Sequence, residues 1–140
     1  MEREISAGAI VFRREDRKIK FLLLKYTNYW GFVKGNIEKK ESVKETIIRE
    51  LYEETGIKDY KFFEGFKEEI KYMYKRENKL IFKIVVYLLL ETKEKEVKVS
   101  YEHEDYRWCS YEEALELLKY KNSKELIEKA YKFIKSKLEL

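Results

Sequence analysis

The sequence predicts an α/β fold, an α/β/α sandwich in which a mixed β-sheet lies between helices. Short apolar, β-prone runs alternate with segments of helical periodicity, and those segments begin at recognisable caps. A chain of 140 residues with 44 % hydrophobic residues can build one sizeable core. No Gly/Ser linker, repeat or low-complexity segment interrupts the chain, so we interpret residues 1–140 as a single domain.

Five strands are predicted. Ile5–Phe12 and Phe21–Tyr26 are short apolar runs joined by a charged stretch typical of a hairpin turn. Tyr60–Tyr74 and Leu80–Leu90 form a second such pair around a polar turn. The fifth strand is short and includes Tyr106–Cys109.

The first predicted helix has clear limits. Ser42 and Glu45 have the spacing of a capping box, in which each residue bonds the backbone of the other. Gly56 supplies a left-handed stop. The helix therefore covers Val43–Thr55.

Two more helices follow near the end of the chain. Ser110 and Glu113 repeat the capping-box spacing for a helix through Leu118. We interpret Asn122 as the cap of a terminal helix that runs to about Leu138.

Composition narrows the function classes. The single Cys109 and the single His103 exclude a disulfide framework and a zinc-finger site, and suit a reducing cytoplasm. The acidic start and the lack of an apolar run near ~18 residues disfavour secretion and membrane spanning. The net charge of +4 gives a slight attraction for polyanions, which alone does not identify a nucleic-acid binder. We expect a cytoplasmic protein with no membrane contact, and the oligomeric state stays open.

The first helix carries a crowded acidic face. Glu50, Glu53 and Glu54 stand at offsets 0, 3 and 4 and share one side. Glu54 also projects into the arc of apolar Val43 and Ile47, where a plain surface helix would not place a charge. Because like charges at i, i+4 repel, divalent cations held by the carboxylates are a natural compensation. For the helix alone, a solvated Glu/Lys helix is an equally good explanation.

Neighbouring residues extend the metal hypothesis. Arg49 lies four residues from both Glu45 and Glu53, where it can orient a ligand carboxylate. The loop before the helix ends in Gly35, whose backbone can approach a ligand or metal closely, and Lys34 adds positive charge. Because Mg²⁺ prefers carboxylate, water and phosphate oxygens, the combination indicates phosphoanhydride chemistry.

These residues carry a family resemblance. A 23-residue segment resembles the Nudix box of Nudix hydrolases at nine specified positions: Gly35, Glu41, Arg49, Glu50, Leu51, Glu53, Glu54, Gly56 and Ile57. The resemblance implies a Nudix-like fold and Mg²⁺- or Mn²⁺-dependent hydrolysis of a nucleoside diphosphate linked to another group. It also implies metal binding by Glu50, Glu53, Glu54 and the Gly35 carbonyl, with Arg49 orienting them. Glu41 is placed to support the loop or to bind metal.

Segments outside the box are similar to the asymmetric diadenosine tetraphosphate hydrolases. Those segments are residues 6–10, 29–35 and 102–108. Lys83 and Tyr87 look like the phosphate-contacting lysine and the adenine-stacking tyrosine of that group. The resemblance implies a small-molecule nucleotide substrate, diadenosine tetraphosphate, cleaved to ATP and AMP.

Several roles stay open at this stage. Glu53 or Glu54 could be the base if metal does not saturate it, and Glu102 or Glu104, outside the helix, could instead contact a further metal or activate water. His103 is a candidate phosphate contact, although a lone histidine in a charged loop is typical of solvent exposure. Trp30 precedes the glycine loop and is a candidate for lining the pocket.

The candidate substrate-binding residues are Trp30, Lys34, Lys83, Tyr87 and His103. Lys83 alternates with apolar neighbours in a strand, which fits either an inward phosphate contact or a solvent face. Tyr87 is the preferred base-stacking residue. Tyr74 and Tyr120 are better explained by packing.

Two departures from the pattern concern the shape of the loop. Lys40 stands where glycine commonly precedes the box glutamate, and Val33 stands where proline is usual. A lysine is strained where φ is positive, so we expect the pocket entrance to differ.

Two other functions compete with this interpretation, and hydrolysis of ADP-ribose or of a damaged nucleoside triphosphate has less support in the substrate segments. One is removal of pyrophosphate from triphosphorylated RNA ends, with nucleic acid as the alternative substrate; such an enzyme would bind oligonucleotides with a steep salt dependence. The other is a non-catalytic module that binds nucleotides or RNA. The intact Arg49, Glu50, Glu53 and Glu54 argue against the second.

Overall fold

A computed structural model describes residues 2–139 and confirms the α/β/α arrangement, with a seven-stranded sheet between α1 on one face and α2 and α3 on the other. The elements are β1 (Glu2–Glu15), β2 (Lys18–Lys25), β3 (Trp30–Gly31), β4 (Val33–Asn36), α1 (Val43–Thr55), β5 (Lys61–Arg76), β6 (Lys79–Glu91), β7 (Asp105–Cys109), α2 (Tyr111–Leu117) and α3 (Lys121–Leu138).

The sheet is mixed because β1 pairs in parallel with β6, whereas the other strand pairs are antiparallel. The strand order is β3-β2-β1-β6-β5, with β7 also on β2 and β4 also on β1. Along its other edge β1 changes partner: residues 6–9 pair with β4 and residues 12–15 pair with β2. This change brings β4, which carries Gly35, alongside the start of β1.

Two core clusters lie on opposite faces of the sheet. Ala9 and Val11 of β1 join Ile47 of α1 in one cluster. Ile10 and Phe12 join the buried residues of α2 and α3 in the other. The period of two along β1 therefore supplies both layers of the sandwich. Among the described residues, no helix combines the length and hydrophobicity that crossing a bilayer requires.

The structure corrects several element limits. The first hairpin turns over Asp16 and Arg17 alone, both at positive φ, so its strands are longer than predicted. The glycine segment before α1, expected as a loop, forms β3 and β4, because β2 and β1 offer backbone partners to these short segments. Such pairing is non-local and leaves little pattern in two to four residues.

The helix caps give a mixed outcome. Both capping boxes are confirmed, as is the left-handed stop at Gly56, where φ is 75°. The Asn122 cap is wrong: Tyr120 occupies the N-cap position of α3 without a side-chain cap. The Lys124 N–H already bonds the Tyr120 carbonyl, so the helix begins before Asn122 can act as a cap.

Candidate active site

Two clefts meet at Lys34 of β4. The carboxylate cleft, of about 330 Å³, is lined by Ser6, Tyr26, Lys34, Gly35, Asn36, Glu50, Glu54, Lys83, Glu102 and His103. The tyrosine cleft, of about 360 Å³, is lined by Tyr29, Lys34, Ile70, Tyr72, Val85, Tyr87, Tyr120, Asn122 and Ser123. Lys34 thus lines both the carboxylate cleft and the tyrosine cleft.

Helix α1 delivers two of its three crowded glutamates to the carboxylate cleft. Glu54 is only 4 % exposed, which confirms its predicted position in the apolar arc of the helix. Glu50 also lines the cleft. Glu53 lies outside it with an exposed side chain, because it projects to the solvent side of α1.

Glu54 is the least satisfied carboxyl group of the cleft. Its Oε1 atom is buried and has no hydrogen-bond partner among the described residues. Burial, together with the neighbouring Glu50 carboxyl, raises the pKa of Glu54 well above its usual range. A buried polar atom without a partner costs free energy, so such an atom at a cleft indicates a ligand that completes it.

His103 faces this orphaned oxygen. Its Nε2 atom lies 3.6 Å from Glu54 Oε1, beyond good hydrogen-bond distance, and is likewise buried without a partner. Burial lowers the pKa of His103 and favours the neutral ring. The predicted solvent exposure is wrong because Ser100 Oγ holds Nδ1 at 3.1 Å and the Tyr26 ring packs against the imidazole edge-on.

The backbone of β4 packs directly against Glu50. A methyl group at position 35 would overlap the Glu50 carboxyl group, so a larger residue there would displace the Glu50 side chain from its present position. Gly35 therefore lets the carboxylate reach the wall of the cleft. The glycine predicted to approach the metal closely stands against one of the predicted metal ligands.

Arg49 ties the acidic face to the loop before it. Its Nη1 atom lies 2.6 Å from Glu50 Oε1 and 3.4 Å from Glu53 Oε2, and its Nε donates to Glu41 Oε2 at 2.6 Å. Of the two glutamates four residues away, Arg49 contacts Glu53 and, among the ion pairs of residues 2–139, not Glu45. Glu45 instead accepts the Ser42 N–H in the capping box.

Glu41 supports the loop. Its carboxylate accepts from Arg49, from Thr46 Oγ1 at 2.8 Å and from the Glu38 N–H at 3.0 Å. These hydrogen bonds, those of Arg49 first, lower the pKa of Glu41 to about 2. Lys40 adopts a φ of 72°, the conformation in which a lysine is strained.

The donor set fits a divalent cation. Among residues 2–139, no three acidic, histidine or cysteine side chains are gathered in an arrangement that could hold a metal ion. Arg49 engages Glu50 and Glu53 instead. However, the neighbouring Glu50 and Glu54 carboxyls and the unpartnered Glu54 oxygen are oxygen donors of the kind that a divalent cation prefers.

Two lysines face the clefts, each held in a defined place. Lys83 is not on a solvent face, since its side chain is 11 % exposed and its Nζ donates to Asn36 Oδ1 and Glu4 Oε1. Lys34 Nζ lies 5.6 and 5.8 Å from the ring centroids of Tyr26 and Tyr29. Burial lowers the pKa of Lys34.

The tyrosine cleft differs in part from the expected aromatic set. Tyr87 lines it but is only 5 % exposed and packs edge-to-face on Phe32. Tyr120, 49 % exposed, presents the more open ring. Tyr74 lies elsewhere, because its hydroxyl donates to Glu4. Tyr72, two residues before it on β5, takes the place in the cleft.

The remaining candidates are partly brought together. Glu102 lines the carboxylate cleft and is exposed. Trp30 lines neither cleft: it is half-buried against the α2–α3 core, with the Arg107 guanidinium 5.6 Å from its ring. Trp30 pairs with Lys25 across the β2–β3 ladder.

Sequence reasoning missed several lining residues. Ser6 and Asn36 meet across the β1–β4 pair, where Ser6 Oγ donates to Asn36 Oδ1 at 2.7 Å. Tyr29 stacks on Tyr26, with ring centroids 4.8 Å apart. The period-2 placement of Tyr72 and Tyr74 on one strand was the available signal for Tyr72.

Comparisons with known proteins bear on this site. The family model of the NUDIX domain matches residues 2–130. The asymmetrical bis(5′-nucleosyl)-tetraphosphatases of Mus musculus and Sus scrofa are 34 % and 35 % identical over 142 residues, which cover 92 % of this chain and 94 % of each relative. A crystal structure of the C. elegans Ap4A hydrolase binary complex superposes with a TM-score of 0.84 and 28 % identity, covering 95 % of this chain and 98 % of that one.

Proposed function

Because this chain belongs to the Nudix family of hydrolases, we propose that it cleaves diadenosine tetraphosphate asymmetrically to ATP and AMP. The relatives named for this activity cover almost the whole chain, which supports the substrate more directly than the family does. A single domain over residues 1–140 is part of the proposal. So is a cytoplasmic location, which the free, buried thiol of Cys109 supports.

The observation that carries the proposal is the junction of the two clefts at Lys34. A dinucleoside polyphosphate joins a long anionic chain to flat nucleobases, and the adjoining chambers offer cations and carboxylates on one side and tyrosines on the other. Lys34 and Lys83 hold phosphate oxygens in this proposal. Tyr87 and Tyr120 contact one nucleobase, and base–aromatic stacking contributes about 1–3 kcal/mol per base.

The proposed cofactor is Mg²⁺ or Mn²⁺. Glu50, Glu54 and the Gly35 carbonyl would hold it, with Glu53 joining them once its side chain leaves Arg49. The chemistry that such an ion supplies when bound is neutralisation of polyphosphate charge and polarisation of the anhydride. Arg49 orients Glu50 through the 2.6 Å contact.

The proposed reaction is attack of a water oxygen on one phosphorus, with cleavage of the anhydride P–O bond on its far side. The water loses a proton to a carboxylate, and the leaving phosphate keeps the electron pair. Glu54 and Glu53 are candidates for this base, and Glu102 at the mouth of the cleft is another. Glu54 and Glu53 can take this role only where the cation leaves one of their oxygens free.

The test is incubation with diadenosine tetraphosphate and Mg²⁺ in ¹⁸O-labelled water, with products resolved by mass. We expect ATP and AMP in equal amounts, with the label in one of them, which identifies the phosphorus attacked. Glu116→Gln, an exposed glutamate of α2, serves as the control for Glu54→Gln. Release of pyrophosphate from triphosphorylated RNA without cleavage of the dinucleotide would contradict the substrate; turnover of neither would favour the binding module.

A second variant tests the tyrosine cleft. Tyr120→Ala removes an open ring, so we expect KM for the dinucleotide to rise by about fivefold or more, with little change in kcat. Binding of inorganic tripolyphosphate, which has no base, should be unchanged. Equal weakening for both ligands would remove Tyr120 from base recognition.

A further inference from the structure

A charge network lies behind Lys83, at the start of β1. Glu4 and Lys83 are direct neighbours in the parallel β1–β6 ladder. Glu4 Oε1 accepts from Lys83 Nζ at 3.1 Å and from the Tyr74 hydroxyl at 2.6 Å, while Arg76 Nη1 lies 2.7 Å from Glu4 Oε2. The Glu4 side chain is 16 % exposed. One carboxylate therefore joins β1, β5 and β6 beside the carboxylate cleft.

The donor geometry of Lys83 leaves one N–H unused. An ammonium group has three donors. One bonds Glu4 and a second bonds Asn36 Oδ1 at 2.8 Å, and no third partner for Nζ lies among the described residues. Asn36 is itself fixed by Ser6. Because Lys83 lines the carboxylate cleft, the free donor is available to an anion that enters it.

Arg76 keeps Lys83 from being neutralised. Two cations share the charge of Glu4, and the other carboxylate near them, Glu2, lies 3.6 Å from Arg76 and is mostly exposed. Hydrogen bonds from Tyr74 and Lys83 lower the pKa of Glu4 to about 2, so the carboxylate stays ionised near neutral pH. Without Arg76, Glu4 would direct its full charge at the lysine that faces the cleft.

We propose that Glu4 is a positioning residue, which aims the Lys83 ammonium at the phosphate chain of the substrate while Arg76 offsets its charge. This inference rests on the proposed function, since it concerns how that anionic substrate is bound. Glu4 lines neither cleft and acts only through Lys83.

The test is a double-mutant cycle. Glu4→Gln keeps the shape and removes the charge, and we expect KM to rise about fivefold to tenfold, as for the loss of one charge-assisted hydrogen bond, with kcat within about twofold. In a Lys83→Met background the same substitution should have no further effect on KM. Glu2→Gln is the matched control, a more exposed glutamate on the same face of β1 that contacts Arg76 at 3.6 Å.

Arg76→Gln gives an independent test at an exposed position. We expect KM to rise about twofold to threefold, because Glu4 then neutralises Lys83 more fully, and the rise should vanish in the Glu4→Gln background. A Glu4→Gln effect that persists without Lys83, or that falls on kcat alone, overturns the positioning role. A KM of the Glu4→Gln variant equal to that of the unaltered protein also overturns the positioning role.

Calorimetric binding of inorganic tripolyphosphate separates this inference from the substrate proposal. If the unaltered protein fails to cleave diadenosine tetraphosphate, the proposed function fails, and the Glu4 role is decided by this probe. Weaker binding in Glu4→Gln and Lys83→Met, without additivity in the double variant, supports it. Equal binding by all variants, or no binding by the unaltered protein, overturns it.

Discussion

The carboxylates at the two ends of α1 lie in opposite environments. At the N-terminal end, Glu41 accepts hydrogen bonds from Arg49, Thr46 and the loop backbone, which hold its pKa at about 2. At the C-terminal end, Glu54 is buried beside Glu50 with one oxygen unpartnered and its pKa raised. A carboxylate whose oxygens accept hydrogen bonds from the protein stabilises the fold. One whose oxygen has no partner in the protein is a candidate for binding a ligand.

The contrast explains the orientation of Arg49. The guanidinium donates two hydrogen bonds to Glu41 and one to Glu50. Arg49 is therefore held mainly by the carboxylate at the N-terminal end of α1, and from there it extends toward the cleft. The loop thereby holds the arginine that contacts Glu50. Four predictions test whether stability and activity divide in this way.

The largest expected effect is the loss of activity when Glu54, at the C-terminal end of α1, is replaced. Glu54→Gln should reduce kcat by about 10²–10⁴-fold, the range for loss of a base or an equivalent charged group. The metal-free protein should melt at the same temperature or higher, because the amide is neutral without having to take up a proton when the protein folds. Melting in EDTA beside Mg²⁺-dependent turnover measures both. A marked loss of Tm would show that Glu54 is structural and break the comparison.

At the N-terminal end of α1, Glu41→Gln should lower Tm by a few degrees and activity by about 10–100-fold, because Arg49 loses its anchor and no longer orients Glu50. Thermal melting and steady-state kinetics check the two effects. Glu38→Gln is the control: it contacts the same arginine at 3.6 Å from a largely exposed position, and we expect no change.

The pH dependence of stability should have opposite signs at the two ends. The folded pKa of Glu41, about 2, lies below its ordinary 4.5, so its contribution is present above 4.5 and is lost as pH falls toward 2. The folded pKa of Glu54 is raised, so its contribution is full below 4.5 and is lost as pH rises. The Tm deficit of Glu41→Gln should shrink in acid, while the Tm advantage of Glu54→Gln should grow toward neutral pH. Parallel trends would contradict the assignment.

The smallest effect concerns the loop that holds Glu41. Lys40→Gly should stabilise the protein by up to about 1 kcal/mol, because glycine adopts the positive φ without the strain of a side chain, partly offset by greater freedom in the unfolded chain. Lys39→Gly has no positive φ to relieve and should stabilise nothing. Chemical denaturation measures both variants.

Local signals predicted the parts of the fold that local forces build. The Ser42–Glu45 box and Gly56 fixed the ends of α1 because each acts within a few residues of itself. Strands β3 and β4 were missed because their pairing partners lie on β2 and β1. The prediction from Asn122 was wrong because a residue type that can cap a helix does not by itself determine where the helix begins, and α3 begins after Tyr120.

In the candidate site, too, local features were predictable from sequence and non-local ones were not. The burial of Glu54 follows from helix geometry, and sequence alone predicts it. The burial of His103 depends on Ser100 and on the Tyr26 ring, which a charged loop sequence does not reveal. The Glu4–Lys83 pair was also out of reach, since 79 residues separate its members.

That separation has a consequence for the order of folding. The β1–β6 ladder pairs residues 2–12 with residues 81–91, so β1 acquires its central partner only after most of the chain exists. Contacts this far apart in sequence form slowly. During synthesis α1 and its glutamates precede the strand that carries Lys83. The ladder that sets Lys83 beside Glu4 can therefore close only after residues 81–91 have been made.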